Sequence, residues 1–492
     1  MNTNLKLLSA GALVLAALEQ VHAQYTPPPP PTPFPGFLNE YLRAQDPYAN
    51  QWDLGGEARG RYEIKEHEAI AGQAGSADFR DHGANEDNQY LLTRIRLHAG
   101  YTEKWWSAYL EGQSSLEGGD HRAAYANVPA ITGTSKKVGY GPESDTVDLH
   151  QGYFTVGNHK EFPLSLKVGR QELSYGDERL IGAFGWNNIG RSFDSVKLRW
   201  QNAWFGADFF TGLPVVPRDG QFDLGNQHDE LSGVYATTMK IPKTIMEAYF
   251  LARNASREAI NDYSDPQFPQ PTARDIYTVG GRLKSKPGEL GNWDYTMEGA
   301  YQFGNMATNA TSIRLKQDAY MFTAQAGYTF ADTWATPRLG VEFDYSSGDS
   351  NPNDHTHGTF DNLFPTNHKF YGSMDLISLQ NIEDAGINLT LKPTPRMSVA
   401  FMGNLLWLAD THDYFYNVTG AARTTGFGIN PGNDSYVGSE LTAIAGYALT
   451  RYAQLEAGYG HFFTGAYVQQ SLAGVGGDHD ADWVYVQATL KF

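Results

Sequence analysis

No cysteine occurs among the 492 residues, so no disulfide frames this chain and its stability rests on packing and hydrogen bonding. Beyond the N-terminus no run stays apolar for the ~20 residues that a membrane-crossing helix requires, which excludes a helical membrane topology. Phosphate-cradling glycine loops, nucleic-acid modules and nucleophile signatures are missing as well. The sequence thus gives no sign of a cofactor, of a nucleic-acid partner or of covalent catalysis. Cations are in deficit, with 37 Lys and Arg against 55 Asp and Glu for a formal net charge of -18. Aromatic residues and glycine are plentiful: 29 Tyr, 26 Phe, 10 Trp and 52 Gly favour strands, tight turns and interfacial girdles over helices.

The first residues stand apart. Lys6, the apolar run Leu7 to Leu18 and the small-x-small triplet Val21-His22-Ala23 predict a signal peptide over 1–23, with the mature chain starting at Gln24. Residues 24–50 read as a Pro-rich periplasmic segment in which Pro27 to Pro31 form a stiff polyproline linker. A docking ligand for a periplasmic partner is the functional alternative for that run. The remainder, 51–492, reads as one barrel domain.

From Trp52 onward the period is two. Leu91, Ile95, Leu97, Ala99 and Tyr101 share one face of a strand while Arg94, Arg96 and His98 share the other. Tyr295, Met297, Gly299 and Tyr301 oppose Asp294, Thr296, Glu298 and Gln302, and Tyr320 to Phe330 repeats the alternation. A soluble sandwich alternates too, so the connections decide. Tight turns near Glu103-Lys104, Asn202, Pro242-Lys243, Ala331-Asp332, Pro393 to Pro395 and Arg451 are flanked by aromatics such as Tyr101, Trp105 and Trp106, or Phe330 and Trp334. Aromatics at one end of successive hairpins predict the girdle of a membrane barrel. Between the hairpins lie nine long polar loops, at about 66–88, 117–145, 175–191, 213–230, 257–273, 305–315, 346–373, 410–435 and 465–481. Nine loops imply an all-β, antiparallel transmembrane barrel of about 18 strands, with short periplasmic turns and long extracellular loops, in the outer membrane of a Gram-negative bacterium. Val484, Val486, Ala488, Leu490 and the terminal Phe492 predict a last strand that the barrel-assembly machinery recognises.

Three blocks carry a family resemblance. Val168 to Trp200 reads VGRQELSYGDERLIGAFGWNNIGRSFDSVKLRW, Gly358 to Pro393 reads GTFDNLFPTNHKFYGSMDLISLQNIEDAGINLTLKP, and Gly438 to Gly465 reads GSELTAIAGYALTRYAQLEAGYGHFFTG. The chain resembles the alginate-export family of outer-membrane barrels over nearly all of the mature barrel. The resemblance implies an 18-stranded barrel, narrowed by an arginine-rich constriction and partly gated by loops, through which an anionic polysaccharide leaves the cell. It carries Arg170, Asp177, Arg179, Arg191 and Asp194 into the pathway. Alternation with Leu164, Leu166 and Val168 would turn Arg170 towards lipid, so a bulge near Gly169 or a position above the lipid belt is expected.

Alternation alone sends Glu57, Arg59, Arg61, Arg94, Arg96, His98, Lys197, Arg199, Arg282, Arg338, Glu342 and Asp344 into the lumen. Arginine suits an anion pathway because it stays charged and its planar fork grips a carboxylate in two places. Pairing among the lumen charges is an equal alternative for any single arginine, but the clustering of Arg59, Arg61, Arg94 and Arg96 on the first two neighbouring strands favours a role in the pathway. The acidic excess falls in loops: Glu66, Glu68, Asp78, Asp81, Glu86 and Asp87 in the first, Asp349, Asp354 and Asp361 in the seventh. Most of these read as solvated, with divalent cations and lipopolysaccharide as alternative partners. Asp354-His355-Thr356-His357 has zinc-like spacing in a flexible loop and reads as a chance cluster. The rival functions are a porin for small anions or sugars, and a barrel hydrolase using His461 or His479. The leading expectation is passive diffusion of an anionic polysaccharide or oligosaccharide, with outer-membrane lipid around the barrel and periplasmic export partners behind it.

Overall fold

The computed structural model describes residues 36–67, 79, 88–119, 143–259, 272–307, 314–423, 426–474 and 478–492. The signal peptide, the polyproline run and the loop carboxylates Glu68, Asp78, Asp81, Glu86 and Asp87 lie outside the described residues.

The strands are β1 (Trp52–Glu66), β2 (Asn88–Thr102), β3 (Trp106–Gly118), β4 (Asp145–Gly157), β5 (Leu164–Gln171), β6 (Phe193–Gln201), β7 (Phe205–Val216), β8 (Leu224–Gly225), β9 (Asp229–Thr238) and β10 (Thr244–Ala255). They continue as β11 (Arg274–Ser285), β12 (Trp293–Met306), β13 (Leu315–Thr329), β14 (Arg338–Ser346), β15 (Thr356–His357), β16 (Ile382–Thr394), β17 (Met397–Leu408), β18 (Tyr436–Ala448), β19 (Ala453–Thr464) and β20 (Ala481–Lys491). Leaving aside the two-residue β8 and β15, the other eighteen form a single antiparallel meander, each paired with the next. The ring closes where β1 pairs with β20, from Glu57 opposite Lys491 to Glu66 opposite Asp482.

Period two sorts the side chains between two solvents. Leu91, Ile95 and Leu97 of β2 are exposed on the outside while Leu92 and Arg94 are buried within, and Tyr320 and Phe322 alternate with Met321 and Thr323 on β13. Exposed leucine would be costly in water but is at home against hydrocarbon tails. At the rim of short turns the aromatics interlock: Trp52 lies 4.8 Å from Tyr101, Tyr101 5.4 Å from Trp106, and Trp106 5.5 Å from Phe154. Two further short turns, 158–163 and 286–292, stand beside the six read from the sequence, and they carry the same marks, Phe162 and Pro163 in one, Pro287 and the following Trp293 in the other.

Closure is reinforced at the seam. Phe492 exchanges backbone hydrogen bonds of 2.9 and 3.0 Å with Gly56, and its ring lies where a Cβ on Gly56 would come within 2.8 Å, so glycine is required there. A short helix, α1 (Phe37–Gln45), binds the same corner. Its Asn39 side chain donates to Asp53 at 2.7 Å and accepts from the Leu54 amide at 2.7 Å, and Glu40 pairs with Arg451 and Tyr452.

At the opposite rim, among the described residues, the connections do not all stay outside. The expectation of solvated polar loops fails for the connections 172–192 and 347–381, which turn inward and carry much of the apolar core. Leu173, Leu180 and Ile181 from the first pack with Phe360, Leu363, Phe364, Phe370, Tyr371 and Leu379 from the second. The inward-facing wall residues Phe193, Phe210, Leu231 and Tyr235 complete this cluster, together with Tyr467, Val468 and Leu472 of α2 (Ala466–Leu472). The two segments bind each other as a short parallel ladder, with Gly182 donating to the Phe364 carbonyl at 2.8 Å and Phe364 to that of Leu180 at 2.9 Å. Glu178, Phe184, Leu363, Tyr371, Asp375 and Asn381, all within these segments, adopt positive φ without being glycine. Such backbone is costly, so the packing around these segments must hold them in place.

Candidate functional site

The crossing segment 172–192 is fastened first to β1 and β2. Arg59 and Arg94 stand directly opposite each other in the ladder, where like charges repel. Both guanidinium groups donate to the carbonyls of Gly185, at 3.0 Å each, and of Asn187, at 3.2 Å each. Arg94 also pairs with Glu57 at 2.7 Å. Arg61 holds Glu63 at 2.6 Å and the Trp186 carbonyl at 2.8 Å, with the Trp186 ring 3.8 Å from its guanidinium carbon. Arg96 reaches Gln113 at 2.5 Å, and Glu172 and the Ile189 carbonyl at 3.4 Å each. These arginines point into the lumen, as alternation predicts, but most of them are covered rather than bare. Arg59, Arg61 and Arg94 are only 7, 1 and 5% exposed, because the backbone of 185–189 covers them. A guanidinium offers five donors and no acceptor, which suits it to binding a run of carbonyls.

Across the barrel the same segment is fastened by carboxylates. Arg179 reaches Glu342 of β14 at 2.5 Å, Asp344 at 3.0 Å and the Tyr371 hydroxyl at 2.8 Å. Asp177 accepts from Arg282 of β11 at 2.7 Å, and Arg282 also holds Glu247 at 2.7 Å. Arg191 ties the two inward segments together, donating to the carbonyls of Gly182, Phe364 and Pro365 at 3.1, 2.6 and 2.8 Å. Glu172 sits where the segment leaves β5. Burial pushes its carboxyl up, but the His150 hydrogen bond and the charges of Arg96 and Arg94 outweigh this and hold it at about 2.

Arg170 and Asp194 belong elsewhere, which corrects their place in the pathway. The β4, β5 and β6 registers run unbroken past Gly169, so Arg170 keeps the outward phase of Val168, without a shifting bulge. It is nevertheless buried, at the long-loop end of β5, because residues 222–225 fold over it. It pairs with Asp194 through bonds of 2.8 and 3.0 Å and donates to the Asp223 carbonyl at 2.9 Å, with the Phe222 ring 5.2 Å away. Of the two expectations, the bulge is not seen, and Arg170 lies one residue from the long-loop end of the strand. Asp145, Asp148 and Asp223 place carboxylate oxygens within 4.8 Å of one another beside it. Burial, and then Asp145 and Asp148, push the Asp223 carboxyl up to about 8.

Lys197 and Arg199 of β6 face the lumen near the short-turn rim, with Arg199 3.0 Å and Lys197 4.0 Å from Asp208 of β7. Arg338 pairs with Asp294 at 2.5 Å. Sequence reasoning missed Lys167, although alternation with Leu166 and Val168 marks it as inward, and it missed Arg253 and Arg274. These two arginines and Arg191 line a cavity of about 680 Å³ at the long-loop end. Asp361, expected in a solvated loop, is buried there against Arg253 and Arg274. Burial raises the Asp361 carboxyl, yet the two arginines hold it below its ordinary value. His357 turns inward to Gln317 at 2.9 Å, and His461 bonds Asp482 at 2.8 Å.

The sequence pattern described as "Alginate export" matches residues 53–477, from the start of β1 almost to β20. The chain belongs to the alginate-export family. Comparison with curated protein sequences gives no match. Among solved structures this alginate-export member is similar to OccAB1 of Acinetobacter baumannii (TM-score 0.57, 10% identity, covering 90% of this chain and 97% of that one). It is likewise similar to OccAB2 of Acinetobacter baumannii (0.56, 10%, 89% and 98%) and to OccK11 (OpdR) of Pseudomonas aeruginosa (0.51, 12%, 89% and 96%). At such identities the likeness establishes the fold. Family and fold together place this alginate-export barrel in the Gram-negative outer membrane as a channel rather than an enzyme, with its short turns periplasmic and its long loops extracellular.

Proposed function

We propose that the channel passes an anionic polysaccharide or oligosaccharide of the uronate type, by passive diffusion through a bore narrowed by segments 172–192 and 347–381. The observation that carries this reading is the pair Arg59 and Arg94. The two cations stand opposite each other and share neutral carbonyl oxygens, with one carboxylate, Glu57, beside Arg94. Carbonyls accept from the terminal guanidinium nitrogens without cancelling the charge, so a positive field persists in the lumen, where it is poorly screened. The acidic total does not oppose this, because selectivity follows the local lining rather than the net charge.

The reading brings three partners with it: lipid and lipopolysaccharide around the barrel, assembly machinery that recognises β20, and periplasmic export proteins near the N-terminal segment. Current block in planar bilayers tests the substrate class. Uronate oligomers should interrupt the current through the wild-type channel, while neutral oligosaccharides of equal length should not. Free permeation of small anions without any block by oligomers would replace this reading with that of a small-anion porin.

A further inference from the structure

The covered arginines leave open where a carboxylate on a moving chain could bind. On the periplasmic side of the crossing, a row of side chains runs along the inner wall over β3 to β7. Tyr109 and Tyr153 are directly opposite in the ladder and stack with centroids 5.2 Å apart. The Lys167 ammonium lies 3.4 Å from the centre of the Tyr153 ring, and Lys167 stands directly opposite Lys197 in the next ladder. Arg199 follows two residues on and takes both oxygens of Asp208, at 3.0 and 3.1 Å.

Two ammonium groups opposite each other destabilise a sheet. Among the described residues Lys167 forms no ion pair, and Asp208, 4.0 Å from Lys197, is already engaged by Arg199 and by Tyr175 at 3.2 Å. A tyrosine ring holds the Lys167 ammonium in place without neutralising it. Both lysines are partly exposed to the lumen, and the Arg199 side chain is 40% exposed. A row that gives up stability to keep positive charge available fits a mobile anion. Its rigid aromatic backing fixes where that anion is held.

We infer that Lys167 and Lys197, backed by Tyr153 and flanked by Arg199, form a receiving subsite for the carboxylate of a uronate unit on the periplasmic side of the crossing. This rests on the anionic-polymer reading and adds the place where the chain is first held. The carboxylate accepts hydrogen bonds from the two ammonium groups, and diffusion carries the unit on.

Current block by a short uronate oligomer tests it, using the full-length channel and the variants K167Q, K197Q, K167Q/K197Q and K167R/K197R. Each single glutamine should weaken block by about tenfold, the loss expected for one charge-assisted contact, and the double variant should lose more. The arginine pair should keep most of the block, and K316Q, at the exposed extracellular end of β13, should keep all of it. Wild-type block with an undiminished K167Q/K197Q overturns the subsite and leaves the proposed substrate class standing. Loss in the arginine pair as complete as in the glutamine pair also overturns it, because the charge would then not be the cause. Absence of block in the wild type removes both readings.

Discussion

Arg59 and Arg94 face each other across a ladder and repel unless acceptors come between them, and the carbonyls of Gly185 and Asn187 supply those acceptors. Alternation made both arginines legible as lumen residues. Their partners were not, because backbone carbonyls of a distant loop leave no mark in the sequence. Arg170 shows the converse: its phase was readable, whereas the fold of 222–225 over it was not. Arg282 is a sharper case, since it is fully buried between Asp177 and Glu247. Arg282→Met should strand two buried carboxylates and cost about 3–5 kcal/mol in urea unfolding from detergent micelles. An unchanged midpoint would contradict this account of the anchor. Asp223 gives a pH dependence whose sign follows from its carboxyl being pushed up from 3.8 to about 8. Between those values the folded loop binds a proton that the detached loop releases, so attachment is strongest below the lower value and is lost as pH rises towards the upper one. Amide exchange over 217–225, corrected for intrinsic rates, should show less protection at pH 9 than at pH 5. Asp223→Asn should flatten the difference, and equal slopes in the two proteins would refute it.

At the scale of elements, the strands were legible because a lipid-facing strand must alternate and a hairpin turn must use particular residues. The long connections were legible in number and position, but not in destination. Leu180, Ile181, Leu363 and Phe364 are apolar residues in stretches otherwise rich in Gly, Asn and Asp, and periodicity is silent about them. The contacts of these connections reach far along the chain, 125 residues between Arg61 and Trp186 and 163 between Arg179 and Glu342, and no local pattern encodes such distances. If segment 172–192 narrows the bore, replacing Arg179–Gly190 by a short glycine-serine link should raise single-channel conductance several-fold. Conductance equal to that of the wild type would show that the segment does not obstruct the passage. The seam gives a second expectation. Removing 481–492 takes away β20 together with Phe492 and leaves the edges of β1 and β19 unpaired, so the heat-modifiable folded form should disappear on unboiled gels. A truncated chain that still showed it would contradict the role given to the seam.

For the whole molecule, an acidic chain forms a barrel whose inner wall and crossing segments carry both signs of charge, with Arg59, Arg61, Arg94 and Arg282 buried alongside Glu63, Glu111, Glu247 and Asp344. The lining rather than the sum governs what passes, and the proposed preference for anions rests on the cations that, among the described residues, are not neutralised by a carboxylate of their own, such as Arg59 and Lys167. The eighteen-stranded wall supplies the width and the crossing segments take much of it back, leaving charge to act at close range. The most direct test is the reversal potential of the wild-type channel in planar bilayers under a potassium chloride gradient, repeated at low and high ionic strength. The predicted result is preference for chloride, strongest at low salt, where fixed charge reaches farthest into the bore. Preference for potassium at low salt would contradict the account.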